Sequence, residues 1–425
     1  MAMALARKCP SPQKALFSWT TRRHCAAETL PFANVDQLFN IENCFVMRQH
    51  KEATGSFDMH FSQSRYEEFL AAEMHYLGQG SYRKITLEEV LRNSSPALLA
   101  KMICRELPPR FATRMRQIEG TAADWMAIPG MQEAHDMYTK SFRNLRFVET
   151  DGPVGKQLDL HAIADVVQDI KARHDPALPN FARIATALRD QRGLLDQSGV
   201  SHWLWKVIDA RVGTDILTSQ YLELLRGRRE DHTGIVNMHC NPKQLCFYAI
   251  QRVESCLKGL PLQFELIEPA REVRLPFIDK FFSCIVEELL KNAAAAALVN
   301  LEKGLRQGTQ VIRLELAHCD TSVAIKVSDE AGGIEVQNLD RIWDYMFSLT
   351  PPHIEELFTP IANPLTVPAM GLPLTRLYTE YLGGKMAIVS MPGIGVDAWV
   401  RLKRIDMNAV GAQVAGDALS GDAAE

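Results

Sequence analysis

Residues 277–297, which read FIDKFFSCIVEELLKNAAAAA, constrain the fold more than any other stretch because they have the composition of a long buried helix. The stretch has no glycine, and Pro276 just ahead of it suits a helix start. Residues three, four, seven and eleven apart share one helical face, which here carries Phe281, Ile285, Glu288 and Asn292. Burying this carboxylate and carboxamide without partners would cost about 1–3 kcal/mol each. Either the fold supplies hydrogen bonds, or a metal ion and a ligand do; a solvated face is the alternative.

Length and composition set the broad class. At 425 residues the chain is too long for one compact core, so we expect two domains. Hydrophobic residues at 47% and charged residues at 23% are typical of a globular protein. A net charge of −4 gives no global reason to expect nucleic acid or an anionic membrane as a partner. No apolar run approaches the roughly 18 residues of a membrane span, and the nine cysteines form no CxxC pair, which favours reduced thiols.

The two ends of the chain differ from the rest. Residues 1–27 are basic, free of acidic side chains and contain Ser and Thr, a pattern typical of a mitochondrial presequence. A basic tail without a targeting role is the alternative. Residues 407–425 are rich in Ala, Gly and Asp and read as a disordered tail.

Residues 45–230 read as a helical domain. The best amphipathic candidates are 87–103, 131–145, 158–172, 182–195 and 201–226, with the first expected to break just before Pro96. Short polar or proline-containing segments separate them, so an antiparallel, four-helix-type bundle is the simplest packing. His174, beside Asp175 and Pro176, superficially matches a phosphoacceptor histidine, but a capping or surface role is the simpler interpretation.

Residues 235–405 read as a second, α+β domain, with the boundary near residues 228–235. A helix over 242–258 and a strand over 262–266 precede the long helix. Alternating strands at 309–317 and 322–327, a helix at 371–382, and a hairpin of 385–390 with 397–403 follow it. This order predicts helices on one face of a mixed sheet.

Three segments of this second domain suggest a nucleotide site. The long helix brings Glu288 and Asn292, a strand ends at Asp329 before Gly332 and Gly333, and Gly371 follows a proline-rich loop. An Asp at a strand end can accept from an adenine amino group while the glycines let the base approach the backbone. The Asn oxygen suits Mg²⁺, and the Glu can deprotonate an attacking hydroxyl or water. Each signal is weak by itself, but their order and spacing indicate a nucleotide pocket.

These motifs resemble one known family, the mitochondrial 2-oxo acid dehydrogenase kinases of the GHKL ATPase fold. The resemblance is closest to the branched-chain member, with the pyruvate dehydrogenase kinases close behind, and covers about residues 60–405. It is carried by the runs RELPPR (105–110), YTKSF (138–142), ELLKN (288–292), LDRIWDY (339–345), GLP (371–373), YLGG (381–384) and GIGVD (393–397), together with Ser328-Asp329. It implies an N-terminal helical bundle and a C-terminal GHKL (Bergerat-type) ATP-binding sandwich.

The resemblance also implies a function. A family member is a protein serine kinase of the mitochondrial matrix that uses Mg-ATP to phosphorylate and inactivate the E1α subunit of a 2-oxo acid dehydrogenase complex. It docks on the lipoyl domain of E2 through its helical domain and is expected to be a homodimer. The sequence does not choose between the pyruvate and branched-chain complexes.

Residue by residue, the resemblance assigns roles to positions in this chain. Glu288 would be the general base and Asn292 the Mg²⁺ ligand. Asp329 and Gly333 would hold adenine, and four residues would lie along the phosphates and the lid: Ser348, Leu349, Gly371 and Leu372. A K⁺ site would use Asp344 with the backbones of Ile342 and Phe347.

The chain departs from the family at several glycines. Ala331 replaces the first glycine of the Asp-x-Gly-Gly-Gly turn, and in the lid the run Val367-Pro368-Ala369-Met370-Gly371 keeps only the last. If these positions need a positive φ, each Ala costs about 1 kcal/mol and a β-branched Val more. Ala295 also replaces an Arg near the phosphates, and Val396 replaces a Thr of the hairpin.

Three functions therefore stay open at the sequence level. The first is a kinase acting on E1α. The second is an ATP-binding, lipoyl-domain-binding regulator that transfers no phosphate. A two-component histidine kinase or a different GHKL ATPase is the third, disfavoured by the presequence and by the lack of a sensor, receiver or transducer segment.

Overall fold

The computed structural model describes residues 63–150, 159–191, 193–227, 230–361 and 369–405, together with three short strands near the N-terminus. These strands, β1 (Phe17–Thr21), β2 (Phe45–Gln49) and β3 (Phe57–Phe61), form an antiparallel sheet in that order. The rest of the predicted presequence and the whole of the predicted tail lie outside the described residues. Both predictions therefore stay predictions.

Strands β2 and β3 occupy the first part of residues 45–230, so the expectation of a helical domain is wrong there, whereas the described region after β3 is helical as expected. Its helices are α1 (Gln63–Gly78), α2 (Leu87–Arg92), α3 (Pro96–Glu119), α4 (Met131–Thr150), α5 (Leu160–His174), α6 (Ala177–Thr186) and α7 (Gln197–Arg226). Helices α3, α4, α5 and α7 pack in a closed ring in which each contacts the next, while α1 lies on α3 and α6 on α7. This ring is the arrangement of a four-helix bundle.

Local capping explains the break between α2 and α3. The Thr86 hydroxyl accepts from the backbone N–H of Glu89, whose carboxylate accepts from the N–H of Thr86, which fixes the start of α2. Ser95 caps α3 by accepting from Leu98, and Pro96 follows at the first helical position. The predicted break before Pro96 is therefore confirmed.

Other helix boundaries differ from the predictions. The helix predicted over 182–195 starts earlier as α6 and ends in a π-helical turn, Ala187–Gln191, and α7 then begins at a cap made by Asp196. The expectation for His174 is wrong, because its side chain is 5% exposed and lies within hydrogen-bonding distance of Ser141, 2.9 Å from Nε2 to Oγ. Burial lowers the pKa of this imidazole to about 3.

In its described residues, the second half contains two sheets and four α-helices. A small sheet has the order β4 (His232–Thr233), β5 (Val236–Cys240), β7 (Leu275–Phe277). The larger sheet has the order β10 (Lys385–Met391), β11 (Gly395–Lys403), β9 (Ser322–Asp329), β8 (Gln310–His318), β6 (Leu262–Ile267). Only β6 and β8 are parallel, so the predicted mixed sheet is confirmed.

The helices of this half form one layer. They are α8 (Pro242–Cys256), α9 (Asp279–Glu302), α10 (Pro352–Leu357) and α11 (Gly371–Tyr381). Helix α9 packs on β8 and β9 at the middle of the large sheet, with α8 and α11 beside it. The expectation that Pro276 starts the long helix is wrong: it lies in β7 at the edge of the small sheet, where a missing N–H is tolerated, and α9 begins at Asp279.

The two halves contact each other through polar groups. The Gln197 side-chain amide donates to the carbonyl of Tyr345 at 2.8 Å, and the N–H of Tyr345 donates to the Ser201 hydroxyl at 3.1 Å. At the end of α11, Tyr381 is buried close to Arg110 of α3 and Gly213 of α7. Within the described residues, no helix is both long and apolar enough to cross a membrane.

Candidate active site

A cleft of about 930 Å³ lies between α9, the end of β9, the segment before α10 and the start of α11. Ten of the eleven site residues expected from the sequence line it: Glu288, Asn292, Asp329, Gly333, Ile342, Phe347, Ser348, Leu349, Gly371 and Leu372. Asp344 does not. Residues from four separate segments of the sequence therefore meet in one cleft. Their position in the cleft does not by itself test their roles.

Helix α9 presents Glu288 and Asn292 to the cleft. Glu288 is 6% exposed and forms an ion pair with Lys291, whereas Asn292, one turn later, is exposed to the cleft. The other carboxylate oxygen faces the start of α11 so closely that a Cβ on Gly371 would collide with it. The two polar side chains of the apolar stripe are therefore a buried carboxylate held by a cation and an amide open to a ligand.

The opposite wall is built around Asp329 at the end of β9. Its Oδ1 accepts from the backbone N–H of Ala331 at 2.9 Å and of Val396 at 3.3 Å. Burial raises the pKa of this carboxyl to about 6, although both hydrogen bonds oppose the shift. Because both bonds use Oδ1, the amino group of a ligand can approach Oδ2.

The glycines beside Asp329 are required by close backbone approach. Gly333 has φ of 80°, and a Cβ there would lie 2.6 Å from the carbonyl oxygen of Met391. A Cβ on Gly395 would collide with the carbonyl of Asp329 itself. The turn after β9 and the β10–β11 hairpin thus interlock, and Gly393 donates to Gly332 at 2.8 Å to hold them.

Two left-handed residues hold the segment before α10 against the start of α11. Met346 and Ala369 have φ of 62° and 58°, and the N–H of Met346 donates to the carbonyl of Ala369 at 2.7 Å. Ser348 donates to Glu355 at 2.6 Å, and Leu349 is half exposed beside it. Residues 362–368, which include most of the expected lid, lie outside the described residues.

The donors fit magnesium better than potassium. Asn292 offers a hard amide oxygen at the cleft surface, and Mg²⁺ takes few protein ligands when phosphates supply the rest. For potassium, Ile342 and Phe347 line the cleft and Asp344 does not, and a site made of the Asp344 carboxylate with the backbones of Ile342 and Phe347 stays a prediction. In the described part of the chain no cluster of three His, Cys, Asp or Glu side chains forms a metal site.

The comparisons with known proteins support one family. A family model described as mitochondrial branched-chain alpha-ketoacid dehydrogenase kinase matches residues 85–237. Mitochondrial pyruvate dehydrogenase (acetyl-transferring) kinase isozyme 1 of Mus musculus is 26% identical over 326 residues, covering 72% of this chain and 73% of the relative. The corresponding kinase of Arabidopsis thaliana is 29% identical over 315 residues, covering 72% and 84%, and that of Ascaris suum is 24% identical over 356 residues, covering 80% and 88%.

The family model and these relatives together support the mitochondrial 2-oxo acid dehydrogenase kinase family for this chain. It is accordingly a kinase and a mitochondrial protein, and kinase relatives imply the use of ATP.

The positions at which this kinase departs from the family differ in their structural consequences. Ala331 has no positive φ, so the cost expected there is absent, whereas Ala369 is left-handed and carries it. Val396 contributes to the site through its backbone N–H, which a change of side chain leaves intact. Ala295 lines the cleft and, as expected, adds no cation there.

Three side chains of this kinase were not predicted as site residues. Lys291 pairs with Glu288, the Asn300 amide donates to the carbonyl of Ala331, and Arg306 donates to the carbonyls of Gly393 and Ile394 at 3.3 and 3.2 Å. Asn300 lies two turns beyond Asn292 on the same face of α9, so the helical period could have found it. Arg306 follows the helix end, where no period applies.

Proposed function

We propose that this kinase of the mitochondrial matrix is a protein serine kinase that transfers the terminal phosphoryl group of Mg-ATP to the E1α subunit of a 2-oxo acid dehydrogenase complex and so inactivates it. We also propose that residues 235–405 form a GHKL-type ATP-binding domain and residues 45–230 a docking domain. One observation carries the proposal: Glu288 and Asn292 open from one turn of α9 onto the cleft that Asp329 and Gly333 line from the other side.

At the adenine end, the proposal rests on shape and hydrogen bonding. Asp329 would accept from the exocyclic amino group through Oδ2, since its Oδ1 is held by two backbone N–H groups. Gly333, which admits no Cβ, would let the ring lie against the backbone. Apolar side chains beside these residues, such as Val327, Ile388 and Val396, would cover the ring.

At the phosphate end, the proposal assigns Asn292 to hold magnesium, which would supply positive charge to neutralise the phosphates. Gly371, Leu372, Ser348 and Leu349 would lie along the phosphates and the lid. Glu288 would accept the proton of the substrate serine hydroxyl while the serine oxygen forms a bond to the terminal phosphorus of ATP. The bond from that phosphorus to the bridging oxygen breaks, and ADP leaves. Potassium at Ile342, Asp344 and Phe347 stays a proposal, and no step depends on it.

The test is phosphorylation of purified complexes. The chain is incubated with labelled ATP and either a pyruvate or a branched-chain dehydrogenase complex, with Glu288→Gln as the matched variant. We expect label on E1α of one complex and a loss of about 10²–10⁴-fold in kcat for the variant. The two-complex design is needed because the family model names a branched-chain alpha-ketoacid dehydrogenase kinase and the relatives are named pyruvate dehydrogenase kinases.

Other outcomes decide between the remaining functions. Binding of ATP and of the complex without label would favour the regulator that transfers no phosphate. Label on the chain's own histidine would favour a histidine kinase. We further propose a homodimer that docks on the lipoyl domain of E2 through the helical domain, which sedimentation of the purified chain and binding to an isolated lipoyl domain would test.

A further inference from the structure

Lys291 has no role in the function proposed above, yet it forms an ion pair with Glu288, the proposed general base. Its ammonium group donates to Oε1 of Glu288, and the two side chains are only 14% and 7% exposed. The same lysine lines the cleft next to Asn292. A cation therefore neutralises the proposed base inside the nucleotide cleft.

The Glu288 carboxylate has close neighbours on both sides. Glu288 is enclosed between Lys291 on one side and the start of α11 at Gly371 on the other. Lys291 binds Oε1 and the start of α11 faces Oε2, so a substrate hydroxyl must compete with the lysine for this carboxylate.

We infer that Lys291 changes partner during the reaction cycle: it binds Glu288 when the cleft is empty and the terminal phosphate of ATP when the cleft is filled. This inference rests on the proposed function. A lysine suits the exchange, since its ammonium is a point charge on a flexible stem whose three donors can turn to a new acceptor. The exchange needs only a turn of the lysine side chain, because Asn292, the proposed magnesium ligand, is the next residue on α9 and lines the same cleft.

The exchange would link the base to the nucleotide. Once the ammonium binds a phosphate oxygen, Lys291 no longer occupies Oε1 of Glu288, and the substrate hydroxyl can reach that oxygen to give up its proton. The lysine would also supply positive charge near the phosphates where Ala295 supplies none. Lys291 is thus a positioning residue for the base and a phosphate contact for ATP.

The test compares ATP with ADP, which lacks the terminal phosphate, by calorimetry in the presence of Mg²⁺. We expect Lys291→Met to weaken ATP by about 10- to 100-fold, the usual strength of a charge-assisted hydrogen bond, and ADP by less than about threefold. Lys291→Arg keeps the charge and should keep most of the preference for ATP. Lys280→Met is the matched control: the same substitution on the same helix, at a lysine that pairs with Asp215 at 3.8 Å outside the cleft.

A second arm tests the exchange itself. Glu288→Gln should tighten ATP several-fold by releasing Lys291, and this gain should shrink when Lys291 is already Met. Equal weakening of ATP and ADP by Lys291→Met would overturn the inference and leave the proposed function standing. So would a gain from Glu288→Gln that is unchanged in the double variant. If the unmodified chain binds neither nucleotide, the proposed function fails and the inference with it.

Discussion

Two alanines that stand where the family has glycines should respond in opposite ways when glycine is restored. Ala369 has φ of 58°, a conformation that costs an L-residue about 1–2 kcal/mol and glycine nothing. Against this gain stands the greater entropy of glycine in the unfolded chain, about 0.4–1 kcal/mol. We therefore expect Ala369→Gly to raise the free energy of unfolding by about 0.5–1 kcal/mol.

Ala331→Gly is the matched variant and should have the opposite sign. Its backbone needs no positive φ, so the full entropy cost of about 0.4–1 kcal/mol applies. The methyl group is also 8% exposed, and removing it loses about 0.8 kcal/mol of burial. The expected change is a loss of about 1–2 kcal/mol, so the two variants should differ by about 1.5–3 kcal/mol.

Urea unfolding followed by circular dichroism measures both. With a slope of about 2–3 kcal/mol per molar urea, the midpoints of the two variants should lie about 0.5–1.5 M apart, on either side of the unmodified chain. Two destabilised variants would contradict the left-handed geometry at Ala369. Two stabilised variants would contradict a backbone at Ala331 without a positive φ. The control is the slope of unfolding free energy against urea concentration. It should be the same in all three proteins, which shows that they expose the same surface on unfolding.

Three further predictions concern the cleft and its support. Gly371→Ala should lower kcat by at least about 100-fold, because its methyl group displaces the Glu288 carboxylate; phosphorylation assays with full nucleotide saturation measure this. Gly213→Ala should cost about 1–3 kcal/mol of stability by overpacking against the Tyr381 hydroxyl, and Tyr381→Phe in the same chain should recover part of it in urea unfolding. Because the pKa of Asp329 is raised to about 6, ATP affinity should fall as pH drops through 6, where the acceptor becomes protonated, and calorimetry should show a flatter profile for Asp329→Asn. The same raised pKa means that the folded state binds the proton more tightly, so the contribution of Asp329 to stability falls as pH rises from about 4 to 6.

The sequence predicted the parts of the site that follow from periodicity. Glu288 and Asn292 share a face because a helix repeats every 3.6 residues, and Asp329 ends a strand because the alternation of apolar residues stops there. The helical and mixed-sheet halves followed from the same two periods. That these segments meet in one cleft was expected from their order and from the family resemblance, and periodicity alone could not show it.

The features that the sequence missed depend on tertiary contacts. Pro108 and Pro109 argue against a helix, yet α3 runs through them because the surrounding bundle packs this part of the helix. Pro276 suits a helix start as well as an edge strand, and only pairing with β5 decides. Ala331 and Ala369 look alike in the sequence, since the sign of φ is set by what each backbone must approach.

The same contacts indicate which part of the cleft tolerates the lost glycines. Asn300 of α9 binds the turn at Ala331, and Arg306, which follows the end of α9, binds the hairpin at Gly393, so α9 and the segment after it fix the side of the cleft proposed to hold adenine. Glu288 and Asn292, the proposed general base and the proposed magnesium ligand, lie on this same helix, so their spacing to the proposed adenine side does not depend on the lid. A strained residue at Ala369 therefore bears on the start of α11 and on the phosphates it would cover. Substitutions near the lid should thus affect phosphoryl transfer more than the binding of adenine. ATP and ADP share adenine and differ in the terminal phosphate, so comparing their affinities in one variant separates effects at the two ends of the site.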